Sequence, residues 1–339
     1  MIVAVGAGVI NDLAKYVGSR LSIPVIIVAT APSMDGFASD SSALILDNLK
    51  TSVEVQTVEA IVADVDVLRA APIEMIRAGM GDMFGKYTAL KDWMLGHIVT
   101  GEYYCEGVAE MVAYSVEKCI RSTSGLASRD AEAIRNLMEG LVLSGIAMSF
   151  VGNSRPASGA EHHISHYWEN AFLQFNRAAV LHGTKVGIGT VVVSRIGTAL
   201  ASRAVDFETA RRDAVAFDAA RWRSDVERLF GTAAPGIIRH SEEANRNSID
   251  ERLHRIDILE REWERIAQVL STPPSAGQVE SLMAAVGAPL RPMDIGVDNG
   301  MVEGGVMYAK EIRPRYTVLQ LASDLGLLEE FARKAGSEK

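Results

Sequence analysis

Four of the seven histidines in this 339-residue chain fall between residues 162 and 182. His162, His163 and His166 stand in SRPASGAEHHISHYWE, and His182 follows in AVLHGTKVGIG. His162 and His166 are spaced i, i+4 and so share one face of a helix. His182 opens a further apolar helical stretch. Neutral imidazole is the commonest metal ligand and the acid–base group of physiological pH, so the cluster points to a metal site or to proton transfer. A lone histidine is more often a satisfied structural residue; four together behind a Gly/Ser/Arg/Pro run argue for chemistry.

Two imidazoles do not complete a metal site. Catalytic zinc-type centres commonly use three protein ligands and leave one position open. The carboxylate best placed to join them is Asp82, in RAGMGDMFGKYTALKDW. Gly79, Gly81 and Gly85 interrupt the helical pattern there, each costing about 1 kcal/mol relative to Ala. Three such residues predict close approach of another backbone or of a ligand.

These side chains need elements to hold them. Residues 2–5 read as an apolar strand running into Gly6-Ala7-Gly8, followed by helical periodicity over 9–21. Further buried strands are expected at 24–29 and 60–63. Strand–GxG–helix suits a phosphate cradle, because the glycines admit an anion to backbone N–H groups at a positively polarised helix end. Asn11 stands where the third glycine of the dinucleotide fingerprint would be, and an ordinary turn remains the alternative. The polar loop Thr30–Gly36 follows the second strand, where open α/β sheets bind ligands, although Asp35 also suits a simple Asx turn.

From residue 71 strand-like alternation gives way to i, i+3, i+4 apolar spacing over 73–95, 108–120, 129–150, 179–200 and 249–270. The expectation is a partial nucleotide-binding α/β domain at 1–70 and an all-helical metal and substrate domain at 71–339. The charged stretch 203–230 reads as a solvated helical face.

A net charge of −9 without a basic, aromatic-interleaved stripe argues against a nucleic-acid partner. The apolar run 24–31 is too short to span a bilayer, so no membrane insertion is expected. Cys105 and Cys119 lack CxxC spacing, which suits a reduced cytoplasmic protein.

The motifs GAGVINDLAKY, TAPSMDGFAS, GDMFGKYTALKDW, SRPASGAEHHISH, LHGTKVGIG and IRPRYTVL together resemble sn-glycerol-1-phosphate dehydrogenases. Those enzymes share a superfamily with glycerol dehydrogenase, iron-containing alcohol dehydrogenases and 3-dehydroquinate synthase. The resemblance implies a dehydroquinate synthase-like fold, α/β plus all-α, and metal-dependent reduction of dihydroxyacetone phosphate by NAD(P)H. It implies a divalent ion, zinc or nickel, on Asp82, His162 and His182. Cofactor contacts fall on Gly6, Gly8, Asn11, Asp12, Thr30 and Ser33. Asp35 and His166 lie near the substrate, with His166 as a proton relay, and His163 receives no role. Arg155 is the first candidate to read the phosphate, ahead of Lys185, Arg313 and Arg315. A homo-oligomer, such as a dimer, is expected.

The resembled family carries roughly a hundred further residues before the GxG turn, so a sheet with an unpaired apolar edge is expected. Three other readings stay open. Glycerol dehydrogenase would need no cations for a phosphate. 3-Dehydroquinate synthase has Glu where Asp82 stands. A non-catalytic helical module would bind no cofactor.

Overall fold

The computed structural model describes residues 1–46 and 49–337. Strands β1 (Ile2–Gly6), β2 (Val25–Ala29) and β5 (Ala60–Val62) form a parallel sheet in the order β1-β2-β5, with Ile2 opposite Val25 and Ile26 opposite Ala60. Helix α1 (Val9–Leu21) makes the crossover from β1 to β2. Among the described residues β1 pairs with β2 alone, and Val3, Val5, Val9, Leu13 and Val17 are exposed.

The hairpin of β3 (Ser41–Leu46) and β4 (Leu49–Glu54) was not expected. Its first strand, Ser-Ser-Ala-Leu-Ile-Leu, ends in consecutive apolar residues, which blurs the period-two signal. Lys15 explains how the hairpin is seated. Its buried ammonium donates to the carbonyls of Gly36 (2.7 Å), Ser39 (3.0 Å) and Ser41 (2.6 Å), and burial pulls its pKa down to about 8.

Beyond Ala63 every described regular element is helical. α2 (Val65–Ala70) is capped by Asp64, whose carboxylate accepts from the Asp66 and Val67 N–H groups. α3 (Ile73–Thr100), α4 (Glu106–Arg121), α5 (Thr123–Leu126), α6 (Ala131–Val151), α7 (Ala160–Gln174) and α8 (His182–Ala201) follow. The long helix Ile249–Ser271 lies where periodicity placed it. α6 is long and apolar enough to cross a bilayer, but half of its apolar window is buried within the protein, where it packs on α4.

The glycines of α3 have a plain cause. A Cβ on Gly81 would sit 2.3 Å from the Gly183 carbonyl oxygen, and one on Gly183 would sit 1.9 Å from that of Ala78. A Cβ on Gly79 would meet the Pro32 carbonyl oxygen at 1.9 Å. α3 therefore touches α8 on one side and the loop after β2 on another, backbone to backbone. This contact brings Asp82, His182 and Asp35 into one place.

Candidate metal centre

Asp82 projects from the middle of α3, His162 from the first turn of α7, and His182 is the first residue of α8. One ligand atom from each lies within 4.8 Å of the other two. Asp82 is fully buried, His162 is 5% exposed, and His182 is half-buried. The His162 and His182 ring centroids are 5.2 Å apart, and His166 lies 6.3 Å and 5.8 Å from them.

The neighbours orient these groups. The Glu161 Oε1 is 2.7 Å from His162 Nδ1, which fixes the proton there and leaves Nε2, 3.4 Å from Asp82 Oδ1, as the electron-pair donor. Glu161 is itself held by Thr88 Oγ1 (2.6 Å) and the Gly159 N–H (2.7 Å). Burial opposes ionisation of Glu161, but His162, Thr88 and Gly159 keep its carboxyl below the usual range. Burial likewise opposes the Asp82 carboxylate, and Lys86 with the two histidines holds its pKa well below the usual range.

Lys86 is fully buried one turn after Asp82. Its ammonium lies 2.8 Å from Asp82 Oδ1, 2.7 Å from Asp35 Oδ2 and 3.2 Å from the Ala157 carbonyl oxygen. Burial would lower its pKa, but the two carboxylates raise it above the ordinary lysine value. Asp82 Oδ2 accepts from the Asp35 N–H (3.0 Å), and Asp35 Oδ2 accepts from Ser144 Oγ (2.9 Å). Sequence reasoning missed Lys86, Glu161, Thr88 and Ser144. The i, i+4 spacing of Asp82 and Lys86 was the one signal available for the first of these.

On the α/β side, Gly6 ends β1 and Gly8 caps α1 with φ +52°; nothing lies within 4 Å of where a Gly8 Cβ would be. Asn11 is buried instead of facing this space, and its amide donates to Asp12 Oδ1 (3.0 Å) and the Gly36 carbonyl (3.3 Å). Asp12 also accepts from the Ala43 N–H, at 3.4 Å. The Thr30 N–H reaches the Gly6 carbonyl at 3.3 Å, and Ser33 is buried in the following loop.

The structure places Arg155 differently from expectation. It is wholly buried, its Nε lies 3.0 Å from both Glu102 carboxylate oxygens, and its Nη2 donates to the carbonyls of Asp92 (2.9 Å) and Tyr316 (2.5 Å). These bonds pin the 153–159 loop to α3 and to the C-terminal segment. Lys185 is also buried and donates to the Val180 carbonyl at 2.6 Å. Arg313 and Arg315 are half-buried, and both reach Ser154 Oγ, at 2.8 Å and 3.1 Å.

The pattern described as iron-containing alcohol dehydrogenase matches residues 1–72. A glycerol-1-phosphate dehydrogenase (NAD(P)+) of Geobacillus stearothermophilus is 33% identical over 337 residues, 97% of this chain and 73% of the relative. One from Hyperthermus butylicus is 42% identical over 193 residues, 57% of this chain and 54% of that relative. Among solved structures, a probable glycerol dehydrogenase from Sinorhizobium meliloti superposes with TM-score 0.60 at 16% identity, covering 98% of this chain and 77% of its own. At that identity the likeness shows the fold alone, an iron-containing alcohol dehydrogenase-like α/β unit followed by helices. The expected absence of a leading segment is not borne out by these matches.

Proposed function

This chain belongs to the glycerol-1-phosphate dehydrogenase family, and from that premise we propose that it reduces dihydroxyacetone phosphate to sn-glycerol 1-phosphate with NAD(P)H. The observation that carries the reading is the convergence of Asp82, His162 and His182 within 4.8 Å. One carboxylate and two imidazoles suit a borderline divalent ion, zinc or nickel, and affinity order does not choose between them. Held by Asp82, His162 and His182, a divalent ion would supply Lewis-acid polarisation of the ketone oxygen, and a nicotinamide would supply the hydride for the ketone carbon.

The chain's own residues do the positioning. Gly8 and the first turn of α1 present N–H groups to the cofactor's pyrophosphate, with Gly6, Thr30 and Ser33 beside them. Buried Asn11 holds that turn against the 30–36 loop, and Asp12 ties it to β3. Lys86 keeps Asp82 ionised and ties Asp82 and Asp35 together. Glu161 sets the tautomer of His162. His166, in ring contact with both other histidines, would deliver the proton that the product alcohol requires, directly or through water. Asp35, fixed by Lys86 and Ser144, orients the substrate hydroxyl. We place the protein in the cytoplasm as a homo-oligomer.

NADH oxidation by the metal-loaded chain, with dihydroxyacetone phosphate and dihydroxyacetone compared, tests this. Activity on the phosphate ester that is lost on chelation and restored by zinc or nickel is the expected result. Preference for the neutral ketone would move the chain to glycerol dehydrogenase chemistry. No turnover of either, without cofactor binding, would leave a non-catalytic helical module.

A further inference from the structure

Against α8 lies a cavity of about 630 Å³ that shares no residue with the metal centre. Ile188, Val191, Val192, Arg195 and Ala199 line it at i, i+3 and i+4 spacing, so they form one stripe of that helix. Gly183 and Gly187, which approach the α3 backbone, lie off the stripe. The other walls come from the start of the helix Ala276–Ala285, from residues 290–302 and from the C-terminal helix Leu328–Ser337. The volume falls in the range of small-molecule sites, about 300–1,000 Å³. Protein interiors leave few voids larger than a water molecule, so a space of this size is not ordinary packing. Val191, Val297, Val302 and Phe331 give it buried apolar walls. Met293, 56% exposed, adds a flexible thioether of the kind that adapts to apolar ligands.

Charge says which apolar ligand fits. Arg195, Arg291 and Lys334 line the cavity, all three exposed, and among the described residues no acidic side chain does. This is an excess of three positive charges in a chain whose net charge is −9. Arg195 pairs with Glu280, and Arg291 pairs with Asp294 at 2.9 Å, both acids outside the lining. Glu330, one turn before Lys334, is taken by Arg203 at 2.8 Å. Lys334 therefore has the most charge to spare for a ligand.

We propose that this cavity binds a free long-chain carboxylate, of the fatty-acid class, with its chain along the apolar walls and its head on Lys334 and Arg291. A neutral hydrocarbon gives the cations no counter-charge, and a small polar anion leaves the apolar walls unfilled. The site is separate from the ketone reduction proposed above and stands or falls without it.

The test titrates the metal-loaded full chain by calorimetry with dodecanoate, kept below the concentration at which it forms micelles. One site per chain is expected, and affinity should rise about two- to fourfold per CH₂ from hexanoate to dodecanoate. Dodecanol should bind at least about tenfold more weakly. The double variant Arg291→Glu, Lys334→Glu, changed only at exposed positions, should weaken dodecanoate by about tenfold and leave dodecanol unaffected. Ala199→Trp, which fills the space, should weaken both. A melting temperature equal to wild type in the double variant separates lost recognition from a lost fold. Because a carboxylate can also ligate a metal, the titration is repeated after chelation, and the affinity should not change. Binding that disappears with the metal would put dodecanoate on Asp82, His162 and His182 and overturn the proposal. Equal affinity for dodecanoate and dodecanol would remove the anion from it. Absence of binding would overturn it as well, and sedimentation showing that Ala199→Trp dissociates an oligomer would then make the cavity a contact between copies of this chain.

Discussion

Lys86 lies one helical turn after Asp82 on α3, and its buried ammonium spans the 2.8 Å to Asp82 and the 2.7 Å to Asp35. It pairs with both carboxylates and holds the Asp82 carboxyl well below its usual range against the opposing effect of burial. Arg155 and Glu102 make a comparable pair on the far side of the 153–159 loop. The centre is thus bounded by two internal cations, neither of which faces a ligand in the way a surface arginine would.

Replacing Lys86 with methionine leaves Asp35 and Asp82 buried without their counter-charge. The metal-free protein should lose about 3–5 kcal/mol of stability. Bound zinc restores part of the missing positive charge, so the loss should shrink when the metal is present. Urea unfolding of wild type and Lys86→Met, with and without zinc, measures both values. An equal loss in both states would mean that Asp82 does not meet the ion.

Glu161 orients His162 without touching the shared ligand point. Glu161→Gln keeps the shape but weakens the acceptor on Nδ1, and outer-shell changes of this kind cost about 10- to 100-fold in metal affinity. Chelator competition reads that number directly. Affinity equal to wild type would show that the 2.7 Å contact does not tune the ligand.

Two glycine substitutions should part company. Gly81→Ala forces a Cβ to within 2.3 Å of the Gly183 carbonyl oxygen, prising α3 from α8 and Asp82 from His182. It should lower the melting temperature and reduce metal content together. Gly107→Ala, on α4 with open space around its Cβ position, should be neutral or stabilise by about 0.5–1 kcal/mol through helix propensity. Thermal unfolding of the two variants checks the contrast.

Arg255 grips Asp324 through both carboxylate oxygens, at 2.8 Å and 2.9 Å, while Tyr316 donates to the same group at 3.2 Å. Burial opposes the charge, but Arg255 holds the Asp324 carboxyl below its usual value. A depressed carboxyl contributes stability that is present above the unfolded value of about 3.9 and is lost as pH falls through the folded one. Acid unfolding of wild type should therefore steepen below about pH 4. Asp324→Asn should be about 3–5 kcal/mol less stable at neutral pH and show a flatter acid limb. A parallel acid limb in the variant would count against the pair.

What the sequence by itself determined was everything carried by local periodicity and spacing. The three parallel strands, the GxG turn and the long helices were legible because each is written in consecutive residues. The His cluster and the glycine-flanked Asp82 were legible because i, i+4 spacing and costly helical glycines are visible without coordinates. The convergence of Asp82, His162 and His182 came through family motifs, and its geometric reason, glycine-lined contact between α3 and α8, appears only in three dimensions. Tertiary structure alone decided the fate of the cations. Arg155, Lys185, Arg313 and Arg315 are equivalent charges in a sequence, and what separates them is which carboxylate or carbonyl folding delivers to each. Glu102 reaches Arg155 across 53 positions, and Ser154 reaches Arg315 across 161. A charge's role depends on partners at that separation, and no local pattern encodes them.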